Sequence, residues 1–184
     1  MKKCVVTLFM MLLFVTALAS CSDANKQADG TATPLKEQQL ALWEFEKQME
    51  CQNFSPCFYA IVDGALERDP VAAVEKCKKA VAGLSKLSIP SGLPSKVSTD
   101  LEEAKAILQR NAAWSLKSAQ FVAGEINSPA GFVPDNAQTC DAYSQIDKVN
   151  KRYGLKALMK GQYINCEVLN SEKIPVFPTM NAVK

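Results

Sequence analysis

Histidine is absent from this chain of 184 residues. Its absence excludes a Ser-His-Asp triad, a Cys-His dyad and every metal or haem site that needs an imidazole ligand. The chain also lacks a G-x-S-x-G nucleophile elbow, a glycine-rich phosphate loop and the paired aspartates of a calcium loop. We therefore expect no catalytic residue, no metal and no cofactor, and we expect a protein that is not an enzyme.

The chain also lacks a large excess of positive or negative charge. The formal charge of +2 comes from 21 basic and 19 acidic residues, and Lys2 and Lys3 account for the difference. The first 20 residues contain no acid, so the rest of the chain holds 19 residues of each sign. Because the chain after residue 20 has no net charge, it does not attract a polyanion, and we expect no nucleic-acid partner.

Residues 1–20 have the order of a secretory signal peptide. Lys2 and Lys3 form a positive start, and an apolar run of about 14 residues follows from Val5 to Leu18. This run is shorter than the roughly 20 residues that span a bilayer. No later stretch approaches its length, so we expect no second membrane span.

The end of this segment resembles the precursor of a bacterial lipoprotein, because Leu18-Ala19-Ser20-Cys21 is similar to the lipobox of that class. The resemblance implies a lipid on the Cys21 thiol and cleavage just before it. Ser22 stands where an Asp tends to retain such proteins in the inner membrane, so the resemblance implies an anchor in the outer membrane of the bacterial cell envelope. It covers about 21 residues and implies nothing about the rest. An ordinary secreted protein is the alternative.

The sequence predicts three parts: a signal peptide at 1–20, a lipidated N-terminus with a flexible tether at 21–34, and a helical domain at 35–184. The tether from Ser22 to Pro34 is polar and poor in apolar residues. Its reach is at most about 43–47 Å, so the domain is expected to stay close to its membrane.

The helical domain is predicted to be all-α, an antiparallel bundle of four to five helices with disulfides and an extended C-terminal tail. Apolar residues recur at helical spacing, and Asp69-Pro70 is typical of a helix start. The tail from Tyr163 to Lys184 is expected to pack Val176 and Phe177 on the bundle. Helices are predicted from Leu35, at about 56–66, 69–87 and 96–126, and from about 137.

Five cysteines remain in the helical domain, and an oxidising compartment predicts that most of them form disulfides. Cys57 and Cys77 lie ten residues on either side of Glu67, where a helical hairpin is predicted to turn. Equal distance from the turn places them at one level, which the short Cα separation of a disulfide requires. Cys51–Cys57 is the alternative.

Cys140–Cys166 is the other predicted disulfide. It requires the last helix to bend or stop near Gly154, because an unbroken helix carries the chain too far from Cys140. Cys51 is then the possible free thiol, expected to be a buried and inert residue. A redox or intermolecular thiol is the alternative for Cys51.

Carboxylates are frequent in the first helix, at Glu37, Glu44, Glu46 and Glu50. Any two of the domain's carboxylates could in principle meet for glycoside hydrolysis, but most stand beside lysines or polar residues and are predicted to lie on solvated helix faces. The candidates are Glu44, Glu46, Glu50, Asp63, Glu67, Asp69, Glu102, Glu103 and Glu125. Basic residues are frequent in the last predicted helix, which has the opposite charge bias to the first. They could contact lipid phosphate or an acidic partner, or complement the helix dipole. This possible partner surface consists of Lys148, Lys151, Arg152 and Lys156.

Aromatic residues cluster early in the domain, at Trp43, Phe45, Phe54, Phe58 and Tyr59. They are predicted to belong to the core. An exposed subset would instead form a contact patch for a protein partner.

The sequence therefore predicts a lipoprotein that is membrane-anchored through Cys21 and acts on the periplasmic side as a non-enzymatic protein-binding module. An envelope protein is the expected partner, in an assembly, exclusion or immunity-type role. A carrier of lipid or another apolar ligand is the first alternative, and a His-independent hydrolase is the second.

Overall fold

The computed structural model describes residues 36–62, 65–128 and 136–171, and over these ranges the chain is an all-α bundle, as predicted. The predicted signal peptide, the tether with Cys21, and the tail residues 172–184 lie outside the described residues. In chain order the helices are α1 (Lys36–Glu46), a π-helical segment (Lys47–Phe54), α2 (Ser55–Val62), α3 (Ala65–Arg68), α4 (Pro70–Lys86), α5 (Ser95–Val122), α6 (Asn136–Arg152) and α7 (Cys166–Leu169).

The start of α4 confirms the Asp69-Pro70 prediction. The Asp69 carboxylate accepts a hydrogen bond from the Ala72 backbone N–H at 2.9 Å, and Pro70 occupies the first helical position. The carboxylate satisfies a donor that has no partner inside the helix, and proline lacks the donor that would otherwise be exposed there.

Helix α5 is the centre of the bundle, packing against α4 on one side and α6 on the other. Its inward face follows the predicted helical spacing, with Leu101, Leu108 and Ala112 fully buried. Phe121 and Val122 continue the apolar spacing of this face, which predicts them in the core, but they are 45% and 47% exposed. They lie on the last turn of α5, where the residues that pack on neighbouring helices are Ala119 and Ala123.

Helix α6 ends at Arg152, close to Gly154, which is one of the two outcomes, a bend or a stop, that the sequence left open there. Gly154 has a φ of 68°, a left-handed conformation that favours glycine. Its N–H donates to the Lys151 carbonyl, and the Leu155 N–H donates to the Asn150 carbonyl, at 3.3 Å and 2.7 Å. These two bonds form a Schellman motif, which satisfies the last carbonyls of the helix and reverses the chain.

The chain after α6 is more regular than the predicted extended tail. A 3₁₀ turn (Lys156–Leu158) leads into β1 (Met159–Lys160), which pairs with β2 (Tyr163–Ile164) in an antiparallel register of Met159 with Ile164 and Lys160 with Tyr163. Helix α7 follows, capped by the Asn165 side chain, which accepts from the Val168 N–H. The prediction of an extended tail is therefore wrong for residues 166–171, which form α7 and the turn after it, whereas β2 is extended.

Two disulfides join described cysteines. Cys57–Cys77 links α2 to α4 with a Cα separation of 4.6 Å, which confirms the pairing predicted from equal distances to the turn. Cys51–Cys166 links the π-helical segment to α7 with a Cα separation of 5.5 Å. The predicted Cys140–Cys166 pair and the prediction that Cys51 is left over are both wrong. The hairpin after Gly154 returns the chain to the π-helical segment instead of the first turn of α6, where Cys140 lies.

The helices within the described ranges are each too short or too polar to cross a membrane.

Candidate functional site

Helix α1, a π-helical segment of eight residues and α2 follow one another without a break. Together they form one continuous helical rod, here named the first rod. Most π-helices are single-turn bulges and are frequent at functional sites, so a run of this length is unusual. The Ser55 N–H donates to the Glu50 carbonyl five residues back. The Asn53 side-chain amide donates to the Gln48 carbonyl at 2.6 Å, over the same interval.

Two glutamates are buried where α1 passes into this segment. Glu46 is fully buried and Glu50 is 5% exposed. The Asn150 amide donates to Glu46 Oε2 at 2.9 Å. Both the Tyr143 and Ser55 hydroxyls donate to Glu50 Oε1, at 2.8 and 3.0 Å. These five residues, here named the Glu46–Glu50 site, join the first rod to α6.

Burial dominates the electrostatics of the Glu46–Glu50 site. Loss of solvation raises the pKa of Glu46 from 4.5 to about 8, although the bond from Asn150 opposes the shift; the nearby Glu50 carboxylate adds to it. Loss of solvation also raises the pKa of Glu50, to about 7, against the bonds from Tyr143 and Ser55. Burial and the Glu50 charge raise the pKa of Tyr143 well above 10. Both glutamates are therefore easier to protonate than exposed ones.

Three oxygen atoms of the Glu46–Glu50 site have no hydrogen-bond donor among the described residues: Glu46 Oε1, Glu50 Oε2 and Asn150 Oδ1. A buried acceptor without a donor costs about 1–3 kcal/mol. A neutral carboxylic acid carries an O–H of its own, whereas a carboxylate only accepts. Protonation of the glutamates therefore brings a donor to a site in which three buried oxygens have none within the described ranges.

The prediction that Glu46 and Glu50 lie on solvated helix faces is wrong. Buried positions recur at every fourth residue through the rod, at Leu42, Glu46, Glu50 and Phe54. A π-helix has more residues per turn than an α-helix, so a four-residue spacing stays close to one face across the segment. The four-residue row was the available sequence signal, since residues at i, i+4 and i+8 share a helix face. The acidic residue type concealed it, because glutamate is almost never fully buried without a partner.

The predicted basic partner surface is only partly available. Lys148, Lys151 and Lys156 are exposed, and Arg152 is half-buried. Lys151 forms an ion pair with Asp147 one turn earlier in α6. The described contacts of the first rod with the C-terminal half of α6 use Asn150 and the carbonyl of Tyr153, which accepts from the Gln39 amide at 2.7 Å, rather than these lysines.

The early aromatic cluster divides into two groups. Phe45 and Phe54 are buried in the core, and Trp43 is partly buried against it. Phe58 and Tyr59 are 37% and 57% exposed, and their rings meet edge to face with centroids 5.8 Å apart. These two residues, here named the Phe58–Tyr59 patch, are the exposed subset that the sequence allowed for.

The Phe58–Tyr59 patch is held rigidly in place. It lies on α2, whose eight residues carry no charge. Cys57, the residue before the patch, is fully buried and bonded to Cys77 in α4. The Phe58 ring stacks on the buried Phe54 ring at 5.9 Å. The aromatic pair is thus supported from beneath by the core and from one side by a disulfide.

A cavity of about 440 Å³ lies between the π-helical segment and the end of α4. Most of the side chains that line it are polar, and neither Glu46 nor Glu50 is among them. The lining residues are Gln48, Asn53, Gly83, Lys86, Leu87 and Ser88.

No protein-family model, no curated protein and no solved structure matches this chain.

Proposed function

We propose that this protein is a lipoprotein of the bacterial cell envelope, anchored through Cys21 in the outer membrane, that binds an envelope protein through the Phe58–Tyr59 patch. The observation that supports the binding role is the exposure of two adjacent aromatic side chains on an uncharged helix. Aromatic residues are enriched at the centres of protein interfaces and charged residues are depleted there.

Rigidity of the patch favours this role further. Binding costs less when the contact side chains are already ordered in the free protein. The disulfide at Cys57 and the stacking of Phe58 on Phe54 restrict both the helix and one of its rings before a partner arrives. The expected partner presents an apolar groove for the two rings, with a polar group at its edge for the Tyr59 hydroxyl.

The alternatives have less support. The cavity beside the π-helical segment is lined mainly by polar side chains, which does not suit a lipid or another apolar ligand. The two buried carboxylates do not line that cavity, so they offer no contact to a substrate there.

Site-specific crosslinking tests the binding surface. A photo-reactive residue is placed at position 59 in the full-length lipidated protein in its own envelope, with or without Phe58→Ser. We expect one dominant protein adduct, reduced at least tenfold by Phe58→Ser, because a loss of about 1.4 kcal/mol gives that factor. Val71→Ser is the matched control, since Val71 is an apolar residue on α4 that is 64% exposed.

The outcome that counts against the proposed surface is an adduct of equal yield in the Phe58→Ser and Val71→Ser proteins, or no protein adduct at all. Thermal unfolding of both variants shows whether each is folded.

Labelling with a fatty-acid analogue tests the anchor separately. Cys21→Ala should abolish both the label and the cleavage of the precursor, since the lipid requires this thiol. Cys4→Ala is the control and should leave both unchanged. An unlabelled but cleaved wild-type protein would instead indicate ordinary secretion.

A further inference from the structure

The Glu46–Glu50 site is a structural feature that the proposed binding surface does not use. We propose that it is a buried proton-binding site, which holds α6 against the π-helical segment while its glutamates are neutral and weakens that contact when they lose their protons. The proposal concerns this site alone and does not depend on the Phe58–Tyr59 patch.

The hydrogen-bond geometry is the first support. Asn150 already donates to Glu46 Oε2, which leaves Glu46 Oε1 and Asn150 Oδ1 as buried acceptors on two side chains in contact. One proton on Glu46 Oε1 supplies a donor between them. A second proton on Glu50 Oε2 gives that carboxyl a donor on the oxygen that Tyr143 and Ser55 do not use.

The ionisable groups that act on the site are acids and phenols. The Glu50 carboxylate raises the pKa of Glu46, and Tyr143 on α6 donates a hydrogen bond to Glu50. Tyr163 of β2 meets the Tyr143 ring edge to face at 5.5 Å, and Tyr59 of α2 also acts on Tyr143. Each of these groups is either neutral or negatively charged, so none of them brings a positive charge to the glutamates. The hydrogen bond from Tyr143 lowers the pKa of Glu50, but the loss of solvation outweighs it.

Five basic residues on the surrounding elements are either exposed or engaged in other contacts. In the first rod, Lys47 lies over the Trp43 ring at 4.9 Å. On α5, Lys105 pairs with Glu102, and near α7, Lys160 pairs with Glu167. On α6, Lys148 is exposed and Lys151 pairs with Asp147. The causes that set the two glutamate pKa values include no lysine or arginine.

The direction of the pH effect follows from linkage. The pKa of Glu46 rises from 4.5 to about 8 and that of Glu50 to about 7, so the folded chain binds more protons than the unfolded chain between these values. Stability therefore falls as pH rises through this window. The contribution of these two protons to stability is fully present below about pH 4.5 and is lost above about pH 8.

A small cation is the competing occupant, because the three unpartnered atoms are hard oxygen ligands. Within the described ranges no three His, Cys, Asp or Glu side chains are grouped to hold a metal ion. A proton needs no coordination shell, and the test below separates the two occupants.

Thermal unfolding of the full-length chain between pH 5 and pH 9 tests the proposal. We expect the Tm of the wild type to fall by roughly 5–15 °C over this range. Glu46→Gln and Glu50→Gln should each flatten the slope and raise Tm at pH 9, because glutamine has the shape of the neutral acid and cannot ionise. Glu37→Gln, at an exposed position on α1, is the matched control and should keep the wild-type slope.

A flat wild-type profile, or an equal slope in the buried-site variants and Glu37→Gln, overturns the proposal. So does a Tm at pH 9 that Mg²⁺ or Ca²⁺ restores in the wild type and not in Glu50→Gln, because the occupant is then a metal ion.

Infrared spectroscopy of the wild type keeps the test independent of how the variants fold. At pH 6 the folded chain should show the carbonyl band of a neutral carboxylic acid, and the chain unfolded at the same pH should show much less of it. Absence of this band from the folded chain also overturns the proposal.

Discussion

At the scale of single residues, Gly83 shows how a neighbouring helix determines the choice of a side chain. A Cβ atom on Gly83 would lie 1.7 Å from Asn53 Oδ1 and 2.5 Å from its Cγ. Asn53 is held there because its amide donates to the Gln48 carbonyl inside the π-helical segment. The absence of a side chain on α4 thus makes room for a hydrogen bond that supports the segment.

Gly83→Ala should therefore destabilise the protein by about 1–3 kcal/mol, through displacement of Asn53 and loss of its hydrogen bond. The usual effect of this change inside a helix is opposite in sign, a gain of roughly 1 kcal/mol. Denaturant unfolding measures the difference. In an Asn53→Ala background, Gly83→Ala should be neutral or stabilising. A Gly83→Ala protein that is more stable than the wild type would show that Asn53 moves aside freely.

Residues of the candidate site were predictable to different degrees. The Cys57–Cys77 disulfide follows from equal spacing about one turn, a local property of the chain. Glu46 and Glu50 have partners in Asn150 and Tyr143, about a hundred residues away. A local pattern cannot supply such distant partners, and an acidic residue without them is expected on the surface.

At the scale of elements, the helix ends were the most predictable features. Asp69-Pro70 starts α4 and Gly154 ends α6, since capping depends on few residues at fixed positions. The π-helical segment was not predictable, because its composition is ordinary for an α-helix. It is maintained by contacts with other elements, namely Asn53 on Gly83 and the Cys51–Cys166 disulfide.

The Schellman motif at Gly154 provides a prediction at this scale. Gly154→Ala should cost about 1 kcal/mol, because alanine adopts a φ of 68° reluctantly. Gly154→Asn should cost less, since asparagine tolerates the left-handed region better. Chemical denaturation of both variants measures this order. Equal stability of the alanine variant and the wild type would mean that the chain reversal does not depend on this conformation.

At the scale of the whole molecule, the Cys51–Cys166 disulfide connects parts of the chain that are 115 residues apart. Cys57–Cys77 closes an interval of only 20 residues. Loop-closure entropy gives about 3 kcal/mol for a short loop of that size and nearly 5 kcal/mol for one above 100 residues. Closing the longer loop should thus contribute more, and it holds α7 on the π-helical segment.

The two disulfides should also differ in how readily they are reduced. Cys57 and Cys77 are fully buried, whereas Cys51 and Cys166 are half-buried, so a thiol reaches the second pair more easily in the folded state. Mild reduction of the full-length chain should therefore open Cys51–Cys166 first and lower Tm by roughly 6–20 °C. Alkylation followed by mass spectrometry identifies the opened pair. Opening of Cys57–Cys77 first would mean that α2 separates from α4 more easily than α7 separates from the π-helical segment, and the Phe58–Tyr59 patch would then not be rigidly held.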